Sequence, residues 1–335
     1  MRFTDLIVGA TAASGALAAP GTSKNKKRQG GFDFSGVNQS GAEFGQDTLP
    51  GQLGKEYTWP VNSAIDTLMQ DGFNTFRVPF MMERMIPDQL TGTINETYAA
   101  GLDTTVEYIT GQGAYAVVDP HNFGRYYEEV ITDVEGFGAW WSKVAARYVD
   151  NELVIFDTNN EYHDMDNTLV YQLNQAAVDA IRDAGATTQY IFVEGNSWSG
   201  AWHWVSSGTA TDMVKLTDPS DKLVYEMHQY LDTDGSGTAE ACVSGTIGSE
   251  RVAEATEWLK ANGKRGILGE TAGGSNAQCI AAVQDMLAHL QENADVWAGW
   301  LWWAGGPWWA DYMYSMEPPT GTAYTEFLPS IKEYI

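Results

Sequence analysis

A closed (β/α)8 TIM barrel in a single domain is the fold class that this 335-residue sequence predicts. Three observations lead there. Short apolar segments that read as strands alternate with amphipathic segments that read as helices along the chain. The strand segments are apolar almost without a break, as in a parallel sheet covered on both faces. Most are followed at once by a side chain able to do chemistry, as at a barrel rim whose loops carry the site. A doubly wound open sheet would show the same alternation, but no Gly-x-Gly-x-x-Gly follows the first strand.

The expected strands are Phe34 to Asn38, Thr75 to Pro79, Tyr115 to Asp119, Leu153 to Asp157, Tyr190 to Glu194, Leu223 to Met227, Gly266 to Gly269 and Val296 to Trp302. Between them, Val61 to Gln70, Tyr98 to Thr110, Phe137 to Tyr148, Leu169 to Ala184, Arg251 to Asn262 and Ala277 to Gln291 are each spaced for one apolar face. A hydrophobic content of 44% fills one large core. There is no Ser/Thr/Pro-rich linker or second compositional zone, so no carbohydrate-binding module is expected.

The N-terminus carries processing signals. Met1-Arg2 precedes a mostly apolar run ending in Ala16-Leu17-Ala18, which reads as a secretory signal over residues 1–18, with Asp5 its one untidy feature. Residues 19–28 read as a propeptide ending at the dibasic Lys27-Arg28, leaving 29–335 as the barrel domain. The whole chain has 19 basic and 44 acidic residues, a net −25; losing the five cations and one anion of residues 1–28 leaves 14 against 43, a net −29. Such an excess of acid repels nucleic acid, anionic lipid and polyanions such as pectin, but not a neutral polymer. No later segment reaches the roughly 18 apolar residues of a membrane span. The chain therefore reads as secreted and extracellular, and it is expected to act as a monomer.

Cys242 and Cys279 are the only cysteines, and in a secreted chain they are expected to form one disulfide closing a loop of under forty residues. No Cys-x-x-Cys or His-x-x-x-His accompanies them, so no metal site is expected. Glycosylation sequons stand at Asn38-Gln39-Ser40 and Asn95-Glu96-Thr97, the second favoured because it precedes a helix.

The rim supplies the chemistry. Leu153-Val154-Ile155-Phe156 turns abruptly into Asp157-Thr158-Asn159-Asn160-Glu161-Tyr162-His163. Elsewhere Arg77, His121, Glu194, Asn196, His228, Tyr230, Glu270 and Trp303 stand at or just after strand ends. A single polar residue there is ordinary; six or more strands ending so describe an active-site rim. Two glutamates after different strands, Glu161 and Glu270, are the minimum equipment for glycosidic cleavage, one protonating the departing oxygen and the other attacking the anomeric carbon. Arg77 can hold Glu270 ionised. Asn160 can bond a sugar 2-hydroxyl, His228 and Tyr230 can orient the acid and nucleophile, and Trp303 offers a flat face to a pyranose. Trp198, Trp202, Trp308 and Trp309 are further candidates for cleft lining, and Trp302 and Trp303 are expected to point to opposite sides of their strand.

The ordered motifs Gly-Val-Asn-Gln-Ser-Gly, Phe-Arg-Val-Pro, Asp-Pro-His-Asn, Asn-Asn-Glu, Glu-Gly-Asn-Ser-Trp, Glu-Met-His-Gln-Tyr, Gly-Glu-Thr-Ala-Gly-Gly and Leu-Trp-Trp-Ala-Gly-Gly-Pro-Trp-Trp run from about Gly36 to Tyr324. In this combination the chain resembles fungal endo-β-1,4-glucanases of glycoside hydrolase family 5. The resemblance implies a retaining cellulase acting on β-1,4-glucan with no metal or organic cofactor. By motif position it implies Glu161 as acid/base and Glu270 as nucleophile, with Arg77, His121, Asn160, His228, Tyr230 and Trp303 around them. Tyr162 departs from the proline that many members carry after the acid/base, which bears on fine positioning rather than on the reaction. Mannan, lichenan or xyloglucan cleavage is the rival within the same chemistry, and an inactive sugar-binding barrel the rival outside it. A Ser/His/Asp hydrolase would want a Gly-x-Ser-x-Gly elbow, which is absent.

Overall fold

The computed structural model describes residues 31–309 and 311–335, so the expected signal and propeptide lie outside the described residues. Eight parallel strands close on themselves: β1 (Phe34–Gln39), β2 (Thr75–Phe80), β3 (Tyr115–Pro120), β4 (Val154–Asp157), β5 (Tyr190–Glu194), β6 (Leu223–His228), β7 (Gly266–Thr271) and β8 (Trp297–Gly305). Each pairs with its neighbours in sequence, and β8 closes the barrel onto β1. The expected helices are α1 (Asn62–Asp71), α2 (Glu96–Gly111), α3 (Val134–Ala145), α4 (Asn167–Asp183), α5 (Ile247–Asn262) and α6 (Ala277–Glu292). Between β5 and β6 a 3-10 turn at Ala201–His203 and a five-residue helix at Thr209–Met213 stand in place of a long helix.

Helix ends follow local capping. Asn95, Asp133, Asp166 and Asn276 accept backbone N–H groups at the starts of α2, α3, α4 and α6, and Gly72 and Gly263 end α1 and α5 in the left-handed region. The cap of α4 is Asp166, which frees Asn159, Asn160 and Glu161 from any capping role. Helix α3 begins three residues before the expected Phe137 because Asp133 caps it through Gly136 N. Helix α5 begins at Ile247 rather than Arg251. Its first turn holds Gly248, where a Cβ would lie 2.2 Å from Ala282 O, so close packing against α6 and not apolar periodicity fixes that turn.

Period-two alternation builds the barrel interior in layers. Phe34, Val117, Ile155, Phe192, Val224, Ile267, Ala298 and Leu301 form an apolar plug inside the barrel. The residues between them, such as Phe76, Val78, Val118, Phe156, Val193 and Met227, face the helices. Two positions beyond the plug, on the same side of their strands, come Asp119, Asp157, Glu194 and Glu226, all fully buried. The sheet thus passes from hydrocarbon to carboxylate in one step toward the ends of its strands. Cys242, after β6, and Cys279, in the first turn of α6, form the disulfide, with Cα atoms 5.2 Å apart. Among the described residues no helix is long and apolar enough to cross a membrane.

Candidate active site

Arg77, on β2, projects into the carboxylate layer and uses all five guanidinium N–H groups. Nε donates to Asp157 at 2.9 Å, Nη1 to Asn38 and Glu270 at 3.0 Å each, and Nη2 to Asn160 at 2.8 Å and Glu194 at 3.0 Å. Asp119 and Glu226 lie within ion-pair distance, at 3.0 and 3.2 Å. Burial disfavours the cation, but the charges of Asp119, Glu226, Asp157 and Glu270 hold it firmly protonated. One cation cannot balance so many anions. Burial, with the Glu226 charge, pushes Asp157 well above the usual carboxylate range, and burial does the same to Glu194.

This layer places both candidate catalytic glutamates. Glu270 lies on β7 next to a bulge: Met227 pairs with Leu268 but His228 pairs with Glu270, so Gly269 is an extra residue. Glu270 Oε1 accepts from Arg77, and Oε2 accepts from the Tyr230 hydroxyl at 2.7 Å. Burial, and then the Glu270 charge, holds the Tyr230 hydroxyl protonated well past the ordinary tyrosine range. Glu161 follows β4 with φ 48°, a left-handed conformation uncommon for a side-chain-bearing residue. Its N–H donates to Glu194 Oε2 at 2.7 Å, and its Oε1 lies 2.7 Å from His228 Nδ1. His228 Nδ1 is also 3.7 Å from Glu270 Oε2. Carboxylate oxygens of Glu161 and Glu270 approach within 4.8 Å of each other, the close spacing of retaining glycosidases rather than the wider one of inverting enzymes. Against burial, Glu270, Glu194, Glu161 and Glu226 hold the His228 imidazole protonated well above its usual value.

Asn160, His121 and Trp303 complete the centre. Asn160 Oδ1 is taken by Arg77, while its Nδ2 has no hydrogen-bond partner among the described residues. His121 Nδ1 is 2.8 Å from Asp119, and its ring stacks on Trp303 with centroids 5.2 Å apart. Burial opposes its charge, but Asp119 and then Glu270 raise His121 above the ordinary imidazole value.

Two depressions flank the pair. One, of about 660 Å³, is lined by Glu161, Trp198, Trp202, His203, His228 and Tyr230. The other, of about 430 Å³, is lined by Glu43, Phe44, Met81, His121, Phe123 and Trp303. Trp198 is 49% exposed and backed by His163 at 4.6 Å; Trp202 is 41% exposed, with Arg251 over its ring at 4.4 Å. Trp302, by contrast, is fully buried against Phe327, so the two successive tryptophans do face opposite sides.

Trp308, partly exposed, lies beside Phe44 at the edge of the second depression, and Trp309 is covered by Tyr312 at 4.3 Å and meets Trp303 edge-on. Two expectations need correction. Asn38, expected as a glycosylation sequon, is 0% exposed and donates to Gly269 O and Trp302 O. No glycan can attach there. Asn196, read as a rim residue, donates to Met165 O and Asn167 and serves the loop. The residues the sequence reading passed over are Asp119, Asp157 and Glu226, whose signal was present: each sits two places after an inward apolar residue of its strand.

Comparison with known proteins agrees with this geometry. The chain is 56% identical to a probable endo-beta-1,4-glucanase B of Neosartorya fischeri across 100% of both chains. It is 57% identical to an endo-beta-1,4-glucanase A of Emericella nidulans, over 91% of this chain and 93% of that one. The structure of XacCel5A in complex with cellopentaose superposes with a TM-score of 0.87 at 33% identity, covering 91% of this chain and 99% of that one. The family model for cellulase, glycosyl hydrolase family 5, matches residues 37–306. With a closed parallel barrel, two closely spaced glutamates at its strand ends, and a family model matching residues 37–306, the chain belongs to the cellulases of glycosyl hydrolase family 5.

Proposed function

We propose retaining double displacement at Glu161 and Glu270 as the way in which this chain, an endo-β-1,4-glucanase, hydrolyses internal β-1,4-glucosidic bonds. The approach of the two carboxylates to within 4.8 Å carries this reading. Glu270 attacks the anomeric carbon while Glu161 protonates the departing oxygen. A covalent glycosyl-enzyme forms, and Glu161 then takes a proton from the water that hydrolyses it, giving net retention.

Both oxygens of Glu270 are engaged by donors, which fix the direction in which the nucleophile is aimed. The unpartnered Nδ2 of Asn160 supplies the donor for the sugar 2-hydroxyl. Trp303 carries one sugar on the His121 side, and Trp198 and Trp202 carry sugars on the other. Depressions on both sides of the pair support cleavage within a chain rather than at its end. The relatives' names and the cellopentaose complex of XacCel5A support a cello-oligomer as the bound chain. The N-terminal signal supports secretion with processing at Lys27-Arg28, and a cleft completed by one chain supports action as a monomer.

The test is the viscosity of carboxymethylcellulose and the anomeric configuration of first-formed products by proton NMR. Wild type should cut viscosity and release β-anomers, and Glu270→Gln should do neither. An α-anomeric product, or unchanged viscosity with wild type, overturns the reading. Faster hydrolysis of mannan or xyloglucan than of cellulosic polymer overturns the substrate assignment alone.

A further inference from the structure

Behind the catalytic pair, Glu226 Oε1 lies 3.2 Å from Arg77 Nε and 3.4 Å from His228 Nε2. Arg77 in turn holds the Glu270 carboxylate, and the other nitrogen of His228 faces Glu161. A single carboxylate oxygen therefore joins the cation that supports one catalytic glutamate to the imidazole that supports the other. We propose that Glu226 is a positioning residue for the acid/base step: it fixes the proton on His228 Nε2 and, through that ring, retains the catalytic proton shared by His228 Nδ1 and Glu161. This inference rests on the roles proposed above for Glu161 and Glu270.

Three observations carry it beyond mere proximity. Glu226 is fully buried and faces the interior from the strand that bears His228, two residues away, so both side chains stand on one side of β6. The space it fills is reserved: a Cβ on Gly269 would lie 1.6 Å from Glu226 Oε1, so the residue before the nucleophile has no side chain where this carboxylate sits. Arg77 has other anchors in Asp119, Asp157 and Glu194, whereas His228 Nε2 has Glu226 at 3.4 Å and Glu194 farther off at 3.6 Å. The charged groups around His228 are thus Glu161 after β4, Glu194 on β5, Glu226 on β6, Glu270 on β7 and Arg77 on β2.

The sign of the effect follows. An anion beside the His228 ring tightens its hold on its protons, one of which faces Glu161, and cleavage of an unactivated glycoside needs a proton there. Removing the charge lets the proton leave at lower pH.

The experiment compares wild type, Glu226→Gln and Glu226→Asp on cellopentaose and on 2,4-dinitrophenyl β-cellobioside, whose leaving group needs no protonation. For Glu226→Gln the basic limb of kcat/KM on cellopentaose should move down by about one pH unit. At pH 5 its KM on cellopentaose should stay within about twofold of wild type, and its loss in kcat/KM on the aryl glycoside should be smaller than on cellopentaose, with no shift of the basic limb. Glu226→Asp, which keeps the charge, should keep the limb in place. A Gln variant whose limb coincides with wild type, Asp and Gln variants that shift alike, or equal losses on both substrates would each overturn the proposal. If the Gln variant does not fold, nitrogen NMR of wild-type His228 decides: a ring protonated at Nε2 at pH 8 is expected, and a ring whose Nε2 carries no proton overturns the role. A wild type inert on both substrates refutes the glucanase reading instead, so the two failures are distinguishable.

Discussion

Gly269 and Glu226 exclude each other's bulk: a Cβ on the glycine would sit 1.6 Å from the glutamate's Oε1. Gly269→Ala must therefore push the Glu226 carboxylate aside or shift the β7 bulge that aims Glu270. Overpacking of this kind costs about 1–3 kcal/mol of stability, and displacement of Glu270 by an ångström should cost roughly 100-fold in rate. Thermal melts and cello-oligosaccharide kinetics check both. Gly111→Ala, at the end of α2 where a Cβ meets nothing within 4 Å, is the control and should leave both properties near wild type.

Stability should favour acid. Glu43, Asp157 and Glu194 are raised mainly by burial, and His121 and His228 are raised by neighbouring carboxylates against the effect of burial. All five bind a proton more tightly folded than unfolded. Their stabilisation is complete below the ordinary values, about 4 for the carboxyls and about 6.5 for the imidazoles, and is lost as pH climbs through the folded ones. Asp218, lowered by Arg182 and backbone N–H groups despite burial, acts the other way but only at the acid extreme. Calorimetry should give a higher Tm at pH 5 than at pH 8; the reverse order would contradict the buried-carboxyl assignment.

The cleft tryptophans should separate by role. Trp303→Ala removes the ring stacked on His121 and should raise KM for cellopentaose about tenfold, the equivalent of about 1.4 kcal/mol. Trp308→Ala should change KM less, because that ring lies beside Phe44 at the edge of the depression rather than over the catalytic pair. Equal effects would mean that the substrate path runs past residue 308.

Glycan mapping should separate the two sequons. Asn95 is half-buried at the start of α2 and uses only Oδ1 for capping, so its Nδ2 can carry a sugar without loss of the cap. Peptide mass spectrometry of fungal-expressed protein should find a glycan there and none at Asn38. Asn38→Ala should cost activity, since it removes an acceptor from Arg77 and two bonds that join β1 to β7 and β8.

The barrel was legible because each strand is a short apolar run with a polar end, and Tyr190–Glu194 matched to the residue. The proximity of Glu161 and Glu270 was legible because the two residues end different strands of one barrel. The layer beneath them was not. Asp119, Asp157 and Glu226 looked like ordinary strand-end acids until parallel register brought all of them to one arginine. Asn38 misled for a related reason: a sequon is a local pattern of three residues, whereas its burial depends on β8 closing against β1. The shift of α5 was hidden because Gly248 packs through its lack of a side chain, which leaves no apolar signal.

The bonds from Asn38 to Gly269 and Trp302 tie the first strand made by the ribosome to the last two. Arg77, near the start, likewise waits for Glu270, 193 residues later, before its fork is filled. The carboxylate layer is therefore assembled from both ends of the chain. A chain cut short before β7 lacks Glu270, and one cut before β8 lacks the strand that closes the ring onto β1.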